Sequence, residues 1–173
     1  YSLNSTINKS LLIYKNEEGF IMKKVYFATK ADVERLHSFF GQANKKDDKI
    51  NELYAQFMIL EEAEEIRAVI GYEQSGEDVL IRSCLFTPHV DKQTFLYFFE
   101  MFLQYMKEKS VQQLYLLTNH PQSVPIFQFF DFFTIEKDEV PEGIQQLEHF
   151  CKNIKEQNAI ILNCQLFTKL STD

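Results

Sequence analysis

The segment Ser83–Phe102, SCLFTPHVDKQTFLYFFEMF, has the pattern of a buried strand, a short break and a long apolar helix. The first N–H groups of a helix have no partner within it, and the helix dipole favours negative charge there, so such a segment can bind a phosphate. The break contains no glycine, however, and glycine is the residue that lets a backbone approach a phosphate closely. Asp91 precedes the helix and suits its N-cap position. Two readings follow, an anion site or a helix capped by its own carboxylate.

Few other residues suggest acid–base chemistry. His89 follows Pro88 in the same break, and histidine is the residue type that most often acts as a general acid or base. Glu61 begins the acidic segment EEAEE. The alternative for both is an ordinary solvated side chain in a loop or turn. No group of His, Cys, Asp and Glu has the spacing of a metal site, so we expect no metal.

The composition predicts one folded domain. The chain has 173 residues, of which 45% are hydrophobic and 25% charged, with five glycines and four prolines. The net charge is −7 and the basic residues are scattered, which argues against nucleic-acid and membrane partners. Three cysteines in apolar or mixed surroundings fit reduced thiols. No apolar run approaches the roughly 20 residues of a membrane span, so we expect a soluble, cytoplasmic protein.

The hydrophobic periodicity predicts an α+β fold, an α/β sandwich in which a mixed, mostly antiparallel sheet of about six to seven strands is flanked by helices. Three consecutive strands form a meander, and helical crossovers connect the later ones. The predicted strands are Lys24–Thr29, Gln56–Leu60, Ile66–Gln74, Val79–Phe86, Gln113–Thr118, Phe132–Glu136 and Ala159–Phe167. The predicted helices are Lys30–Phe40, Ile50–Tyr54, Lys92–Lys109, Gln122–Phe130 and Gly143–Gln157.

This order, together with particular residues, resembles the GNAT superfamily of acetyl-CoA-dependent N-acetyltransferases from Lys24 to Phe167. Gly71 follows an apolar pair in the meander, as a glycine does in that family. The sequences IRSC (Ile81–Cys84), LYLLTN (Leu114–Asn119) and DFFTIEKDEVPEGI (Asp131–Ile144) are similar to the branch of amino-acid N-acetyltransferases.

The resemblance implies transfer of an acetyl group from acetyl-CoA to a primary amine of a small molecule or amino acid. Backbone groups on the last strand of the meander would bind the pantetheine arm of the cofactor. The N–H groups at the start of the next helix would bind its pyrophosphate. The implied CoA-binding residues are Cys84, Leu85, Phe86, Lys92, Gln93, Thr94, Asn119, Ser123 and Phe127.

The sequence departs from the family pattern at each functional position. The pyrophosphate loop Gln/Arg-x-x-Gly-x-Gly/Ala corresponds to Asp91–Leu96, which lacks both small residues. The position of the tyrosine that protonates the leaving thiolate is Phe127, and Asp131 replaces a glycine at the end of that helix. The alternative is therefore a GNAT-fold domain that has lost the loop and catalysis and acts as a binding or regulatory module. An α+β interaction protein unrelated to the family is a third possibility.

The general base and the oligomeric state remain open in the sequence. The last strand of the meander has no acidic residue in Leu80–Ser83, which leaves His89, Glu61 and Ser123 as candidate catalytic residues. Ser123 lies one helical turn before Phe127, where a small packing residue is an equal alternative. The helix from Lys92 also has Tyr97, Met101 and Tyr105 on its second side, and this extra apolar surface predicts a homodimer.

The first 21 residues could precede the native protein. Glu17, Glu18 and Gly19 can be encoded by a purine-rich stretch resembling a bacterial ribosome-binding sequence, followed by Met22. We therefore predict an extension over residues 1–21 and a single domain over residues 22–173. The alternative is an ordinary N-terminal extension in which LLIY forms a short strand or a packing segment. The intact mass of the protein expressed from its own gene checks this prediction, and a mass that includes residues before Met22 contradicts it.

Overall fold

The computed structural model describes residues 10–16 and 18–167. Its eight strands form one hydrogen-bonded sheet in the order β1-β2-β3-β4-β5-β6-β8-β7. Strands β5 and β6 are parallel, and the other described ladders are antiparallel. The strands are β1 (Ser10–Asn16), β2 (Gly19–Phe27), β3 (Phe57–Glu62), β4 (Glu65–Ser75), β5 (Asp78–Phe86), β6 (Gln113–Thr118), β7 (Phe133–Ile135) and β8 (Ile160–Gln165). The predicted α+β class and mixed sheet are confirmed, with β1 as the additional strand.

Helices connect the strands in the predicted places. They are α1 (Val33–Gln42), α2 (Ile50–Leu53), α3 (Lys92–Glu108), α4 (Val124–Gln128), α5 (Glu142–Gln145) and α6 (Glu148–Asn153). The single helix predicted over Gly143–Gln157 is wrong, because the backbone of Leu147 is extended between α5 and α6. Leu147 packs on the core there, and this tertiary contact outweighs continuation of the helix.

The described chain divides into two compact units. The first contains the residues up to Gly71 together with Ser83–Phe102. Its core lies between β2, β3, β4 and the helices α1 and α2, around the fully buried side chains of Leu36, Ile50 and Phe57. The rings of Phe95 and Phe99 in α3 are also buried, as the spacing of apolar residues in this helix predicts.

The second unit contains Tyr72–Arg82 and the residues from Leu103 onwards. Its core is formed by Leu80 on β5, Tyr115 on β6 and the helical side chains Ile144 and Phe150. Strand β8 pairs with β6 on one side and with β7 on the other. Desolvation and the charge of Asp78 raise the pKa of Tyr115 to about 12, so its phenol is neutral in this core.

Strand β1 pairs antiparallel with β2 over its whole length, from Ser10 opposite Val25 to Asn16 opposite Gly19. Met22 lies inside β2, so the predicted boundary at residue 22 falls within a strand. Residues 1–9 and 17 of the predicted extension lie outside the described residues. The native start and the single domain over residues 22–173 stay predictions.

None of the helices in residues 10–16 and 18–167 is long and apolar enough to cross a membrane.

The glycine of the meander, Gly71, is required by close packing. A Cβ atom at Gly71 would lie 2.7 Å from Cε1 of the buried Phe57 ring, which is too close for two carbon atoms. Substitution of Gly71 by alanine should therefore lower the free energy of unfolding by about 1–3 kcal/mol, as overpacking of a core does. Denaturant unfolding measures this change.

Gly41 is the matched control, because a Cβ atom at this position in α1 would meet nothing within 4 Å. Gly41→Ala should leave stability unchanged or raise it by up to about 1 kcal/mol through helix propensity. Equal effects of the two substitutions would contradict the packing argument.

Candidate cofactor site

The outer half of β5 and the start of α3 lie in the same unit. The parallel ladder between β5 and β6 runs from Asp78 opposite Gln113 to Ile81 opposite Leu116. Strand β5 continues beyond this ladder to Phe86. The chain then turns through Thr87–Val90, where the N–H of Val90 donates to Thr87 O, and enters α3. The strand, break and helix predicted for this segment are confirmed.

Asp91 caps α3. Its Oδ1 atom accepts a 2.7 Å hydrogen bond from the backbone N–H of Thr94. This bond and the hydroxyl of Thr94 lower the pKa of Asp91, and the charge of Lys23 lowers it further. The carboxylate therefore occupies a position at the positive end of the helix where an anion is favoured. Of the two readings of the sequence, the structure shows the N-cap.

A buried lysine reaches the same helix end from β2. Lys23 is only 4% exposed, and its Nζ donates a 3.0 Å hydrogen bond to Oγ1 of Thr94. Glu62, opposite Lys23 on β3, places a carboxylate oxygen 4.0 Å from Nζ. An ammonium group excluded from water needs such partners. Lys23, Thr94 and Asp91 thus form a continuous polar chain, which the sequence did not predict because Lys23 lies 71 residues before Thr94.

The first turn of α3 keeps two further donors. Lys92 and Gln93 are exposed, and their backbone N–H groups contact no acceptor within residues 10–16 and 18–167. These two groups, with the Lys92 side chain and the charge of Lys23 behind Thr94, fit a phosphate at the helix start. The amide of Thr94 already donates to Asp91, and its hydroxyl oxygen already accepts from Lys23.

The strand residues Cys84, Leu85 and Phe86 differ in environment. The Cys84 thiol has its pKa raised to about 12 by desolvation, so it is protonated at neutral pH and a poor nucleophile. Leu85 packs on the core of the first unit. Phe86 is 52% exposed, and its ring lies 4.8 Å from that of Phe95.

The residues implied on the second strand and helix lie in the other unit, which is described by itself. Asn119 is exposed and Ser123 is half-buried, just before α4. Phe127 is buried, and its ring centroid lies 5.9 Å from that of Phe132. Asp131 has φ 64°, so it adopts the left-handed conformation usual for glycine at a helix end.

The two candidate bases named from the sequence have different surroundings. His89 is exposed in the break before α3. Glu61 is not a solvated turn residue: its Oε1 accepts hydrogen bonds from Arg35 Nη2 at 2.7 Å and from the Tyr26 hydroxyl at 2.9 Å. These bonds connect Glu61 on β3 to Arg35 on α1 and to Tyr26 on β2. The Glu61 side chain is therefore held by contacts within the fold. Among the described residues, no group of three His, Cys, Asp or Glu could hold a metal ion.

The sequence matches no known protein family and no curated protein. The structure, by contrast, is similar to several solved acetyltransferases. N-acetylglutamate synthase from Neisseria gonorrhoeae, complexed with coenzyme A and N-acetyl-glutamate, matches 84% of this chain and 35% of its own, with a TM-score of 0.67 and 15% identity. Rv2747 from Mycobacterium tuberculosis, in complex with CoA and NLQ, matches 83% of this chain and 99% of its own, with a TM-score of 0.65 and 15% identity.

The protein has the GNAT fold. The ribosomal-protein-S18-alanine N-acetyltransferase from Escherichia coli shares it as well, with a TM-score of 0.61 at 10% identity over 87% of this chain and 98% of that chain. The chain is therefore a divergent GNAT-fold protein, and it spans about a third of the length of N-acetylglutamate synthase. At these identities the likeness concerns the fold, so each functional residue must be argued from its own contacts.

The cap of α3 generates a test of stability. Substitution of Asp91 by alanine should lower the free energy of unfolding at pH 7 by about 1 kcal/mol, the usual value of an N-cap. The pKa of Asp91 is lower in the folded protein than in the unfolded chain, so its contribution is present above about pH 3.9 and is lost as the pH falls through the folded value. Urea unfolding from pH 7 to pH 2 measures the difference between the two proteins.

Asp91→Asn is the matched control, because asparagine caps a helix without a charge. It should retain most of the stability at pH 7 and abolish the acid-dependent part. If Asp91→Ala matches the wild-type protein at pH 7, the cap does not stabilise α3.

Proposed function

We propose that the protein is an N-acetyltransferase that transfers an acetyl group from acetyl-CoA to a primary amine of a small molecule or amino acid. The observation that carries this proposal is the end of the β5–β6 ladder at Ile81 and Leu116, with β5 continuing to Phe86. The resemblance to GNAT enzymes implies that the strand residues beyond such a ladder bind the pantetheine arm through their backbone groups. Several solved relatives of this fold are complexes with CoA.

The cofactor contacts follow from the fold and the helix start. Backbone groups of Cys84, Leu85 and Phe86 would bind the pantetheine arm. The N–H groups of Lys92 and Gln93 would bind the pyrophosphate. When bound, acetyl-CoA supplies the activated acetyl group. The assignments of Asn119, Ser123 and Phe127 rest on the resemblance alone.

Phe127 cannot protonate the departing thiolate, because it has no hydroxyl group. We infer that solvent supplies this proton, so a fixed acid is not needed there. The thiol group of CoA is acidic enough for its thiolate to leave without full protonation, since thiols have a pKa of about 8.5. The absence of a tyrosine therefore does not oppose acetyl transfer.

The proposal extends to partners and location. The acceptor would be a small-molecule amine, in line with the N-acetyl-glutamate bound to N-acetylglutamate synthase. Nucleic acid and membranes would not be partners, because the net charge is −7. We propose a cytoplasmic location.

A homodimer would use the exposed side of α3, where Tyr97 is 45% exposed and Met101 and Tyr105 are half-buried. A monomeric mass in light scattering would contradict the dimer.

The second candidate function is a non-catalytic binding or regulatory module. One observation favours it: the carboxylate of Asp91 already accepts a hydrogen bond from the backbone amide of Thr94. In the first function, a cofactor phosphate would use that amide. A protein that does not bind CoA loses no function when Asp91 caps the helix in this way. The two functions differ in one property, the affinity for CoA.

Thermal unfolding with acetyl-CoA and with free CoA separates the two functions. For the acetyltransferase we expect both ligands at 100 times their Kd to stabilise the protein by about 2.7 kcal/mol, a rise in Tm of roughly 5–10 °C for a domain of this size. Adenosine and pantetheine, each lacking part of the cofactor, are matched control ligands. No shift at millimolar CoA would refute the acetyltransferase and support the non-catalytic module.

A further inference from the structure

Arg67 lies at a bulge in β4. The ladder with β3 pairs Leu60 with Ala68 and then Glu61 with Ile66. Arg67 is the extra residue between these pairs and has no partner residue on β3. A bulge of this kind re-aims a side chain, and bulges are frequent next to active sites. The Arg67 side chain is 22% exposed, so a ligand can reach it.

Two polar atoms at this position are shielded from water and unpaired. The N–H of Thr87, the first residue after β5, donates a 2.9 Å hydrogen bond to Arg67 O, so the two residues are neighbours. Arg67 Nε and Thr87 Oγ1 are both buried, and neither has a hydrogen-bond partner within residues 10–16 and 18–167. Buried polar groups of folded proteins are almost always paired. Two neighbouring groups that can each donate a proton therefore point to a ligand that supplies acceptor oxygens.

The Arg67 guanidinium group has one nitrogen engaged and one edge available. Its Nη1 lies 3.1 Å from a carboxylate oxygen of Glu65, whose side chain is 68% exposed. An exposed ion pair of this kind is weak. The opposite edge, formed by Nε and Nη2, makes no contact with the part of the chain that the structure describes. Two parallel N–H groups on one edge match two oxygens of a phosphate.

The ion pair with Glu65 places the guanidinium group on the α3 side of the sheet. Glu65 is opposite Glu62 in the antiparallel ladder, and directly opposite residues project from the same face. Glu62 contacts Lys23, whose Nζ donates to Thr94 in the first turn of α3. All of these residues belong to the first compact unit. Arg67 is therefore a cation on the face of the sheet that meets the start of α3.

This cation lies near a position where the GNAT pattern has a cation or an amide and the present sequence has neither. The first position of the pyrophosphate loop corresponds to Asp91, and its carboxylate caps the helix. A negative charge at that position opposes the binding of an anion. A guanidinium group from β4 offsets this effect.

We propose that Arg67 and Thr87 bind a phosphate group of CoA and replace the cation that the loop has lost. This inference rests on the proposed acetyl transfer. The Nε–Nη2 edge of Arg67 donates to two phosphate oxygens, and the Thr87 hydroxyl donates to one. Rotation of these two side chains, which no buried hydrogen bond holds, exposes the shielded atoms to the ligand. CoA has two groups of this chemistry, its diphosphate and its ribose 3′-phosphate, and the ligands of the test distinguish them.

Calorimetric titration with CoA tests the contact. Arg67→Gln should raise the Kd for CoA by about 10-fold or more, the loss expected for hydrogen bonds to a charged group. Thr87→Val keeps the shape of the side chain without its hydroxyl group and should raise the Kd by about threefold or more. Lys155→Gln is the matched control, because it removes the same charge from an exposed residue after α6. It should leave the Kd within about twofold of the wild-type value.

Dephospho-CoA, which lacks the 3′-phosphate, identifies the bound group. If Arg67→Gln weakens the binding of CoA and dephospho-CoA equally, Arg67 binds the diphosphate. If it weakens the binding of CoA alone, Arg67 binds the 3′-phosphate. In either case the effect of Arg67→Gln should shrink between about 0.05 M and about 0.5 M salt, because salt screens a contact between charges. An effect that does not depend on salt would contradict a phosphate contact.

The outcomes separate this contact from the function on which it rests. If the wild-type protein does not bind CoA at millimolar concentration, the proposed function fails and the contact with it. If the wild-type protein binds CoA and both variants keep the Kd within twofold, the contact alone is refuted. Arg67→Gln removes only an exposed ion pair from the folded protein, so this variant should fold. If it does not, Thr87→Val decides the matter.

Discussion

A buried ammonium group has to be neutralised, and this requirement organises the start of α3. Lys23 reaches from β2 to the helix, where the dipole is positive and would repel it. The carboxylate of Glu62 lies 4.0 Å from its Nζ, and the Thr94 hydroxyl accepts its hydrogen bond at 3.0 Å. Asp91 adds a second negative charge at the same helix end. Glu62 and Asp91 thus both offset the positive charge of Lys23.

This arrangement explains why the break before α3 contains no glycine. A glycine-rich loop leaves its N–H groups open and depends on a ligand to satisfy them. Here a side chain satisfies the amide of Thr94, so the helix start is stable by itself. The amides of Lys92 and Gln93 remain, and a phosphate binding to them would meet the repulsion of Asp91 and the attraction of Lys23. Affinity for an anion is thus a balance of charges within the protein.

Strand β5 belongs to both compact units, with Asp78–Arg82 in the second unit and Ser83–Phe86 in the first. Its first residues pair with β6 in a parallel ladder, which fixes the position of the strand. Its later residues extend beyond that ladder and carry Ser83, which contacts the carboxylate of Asp47. Asp47 thus brings a carboxylate from a loop to a strand whose central part, Leu80–Ser83, has no acidic residue.

Local features of the protein followed from the sequence alone. The spacing of Phe95 and Phe99 indicated the buried side of α3, and Asp91 was expected as its cap, because helix periodicity and capping depend on residues three or four positions apart. The contacts of Lys23 with Thr94 and of Ser83 with Asp47 join residues 71 and 36 positions apart. Sequence patterns indicate that such residues are polar, but not which side chain each will meet. That pairing is decided by how β2, β5 and the α1–α2 loop pack, so only the tertiary structure revealed the charges behind the helix and the carboxylate beside the strand.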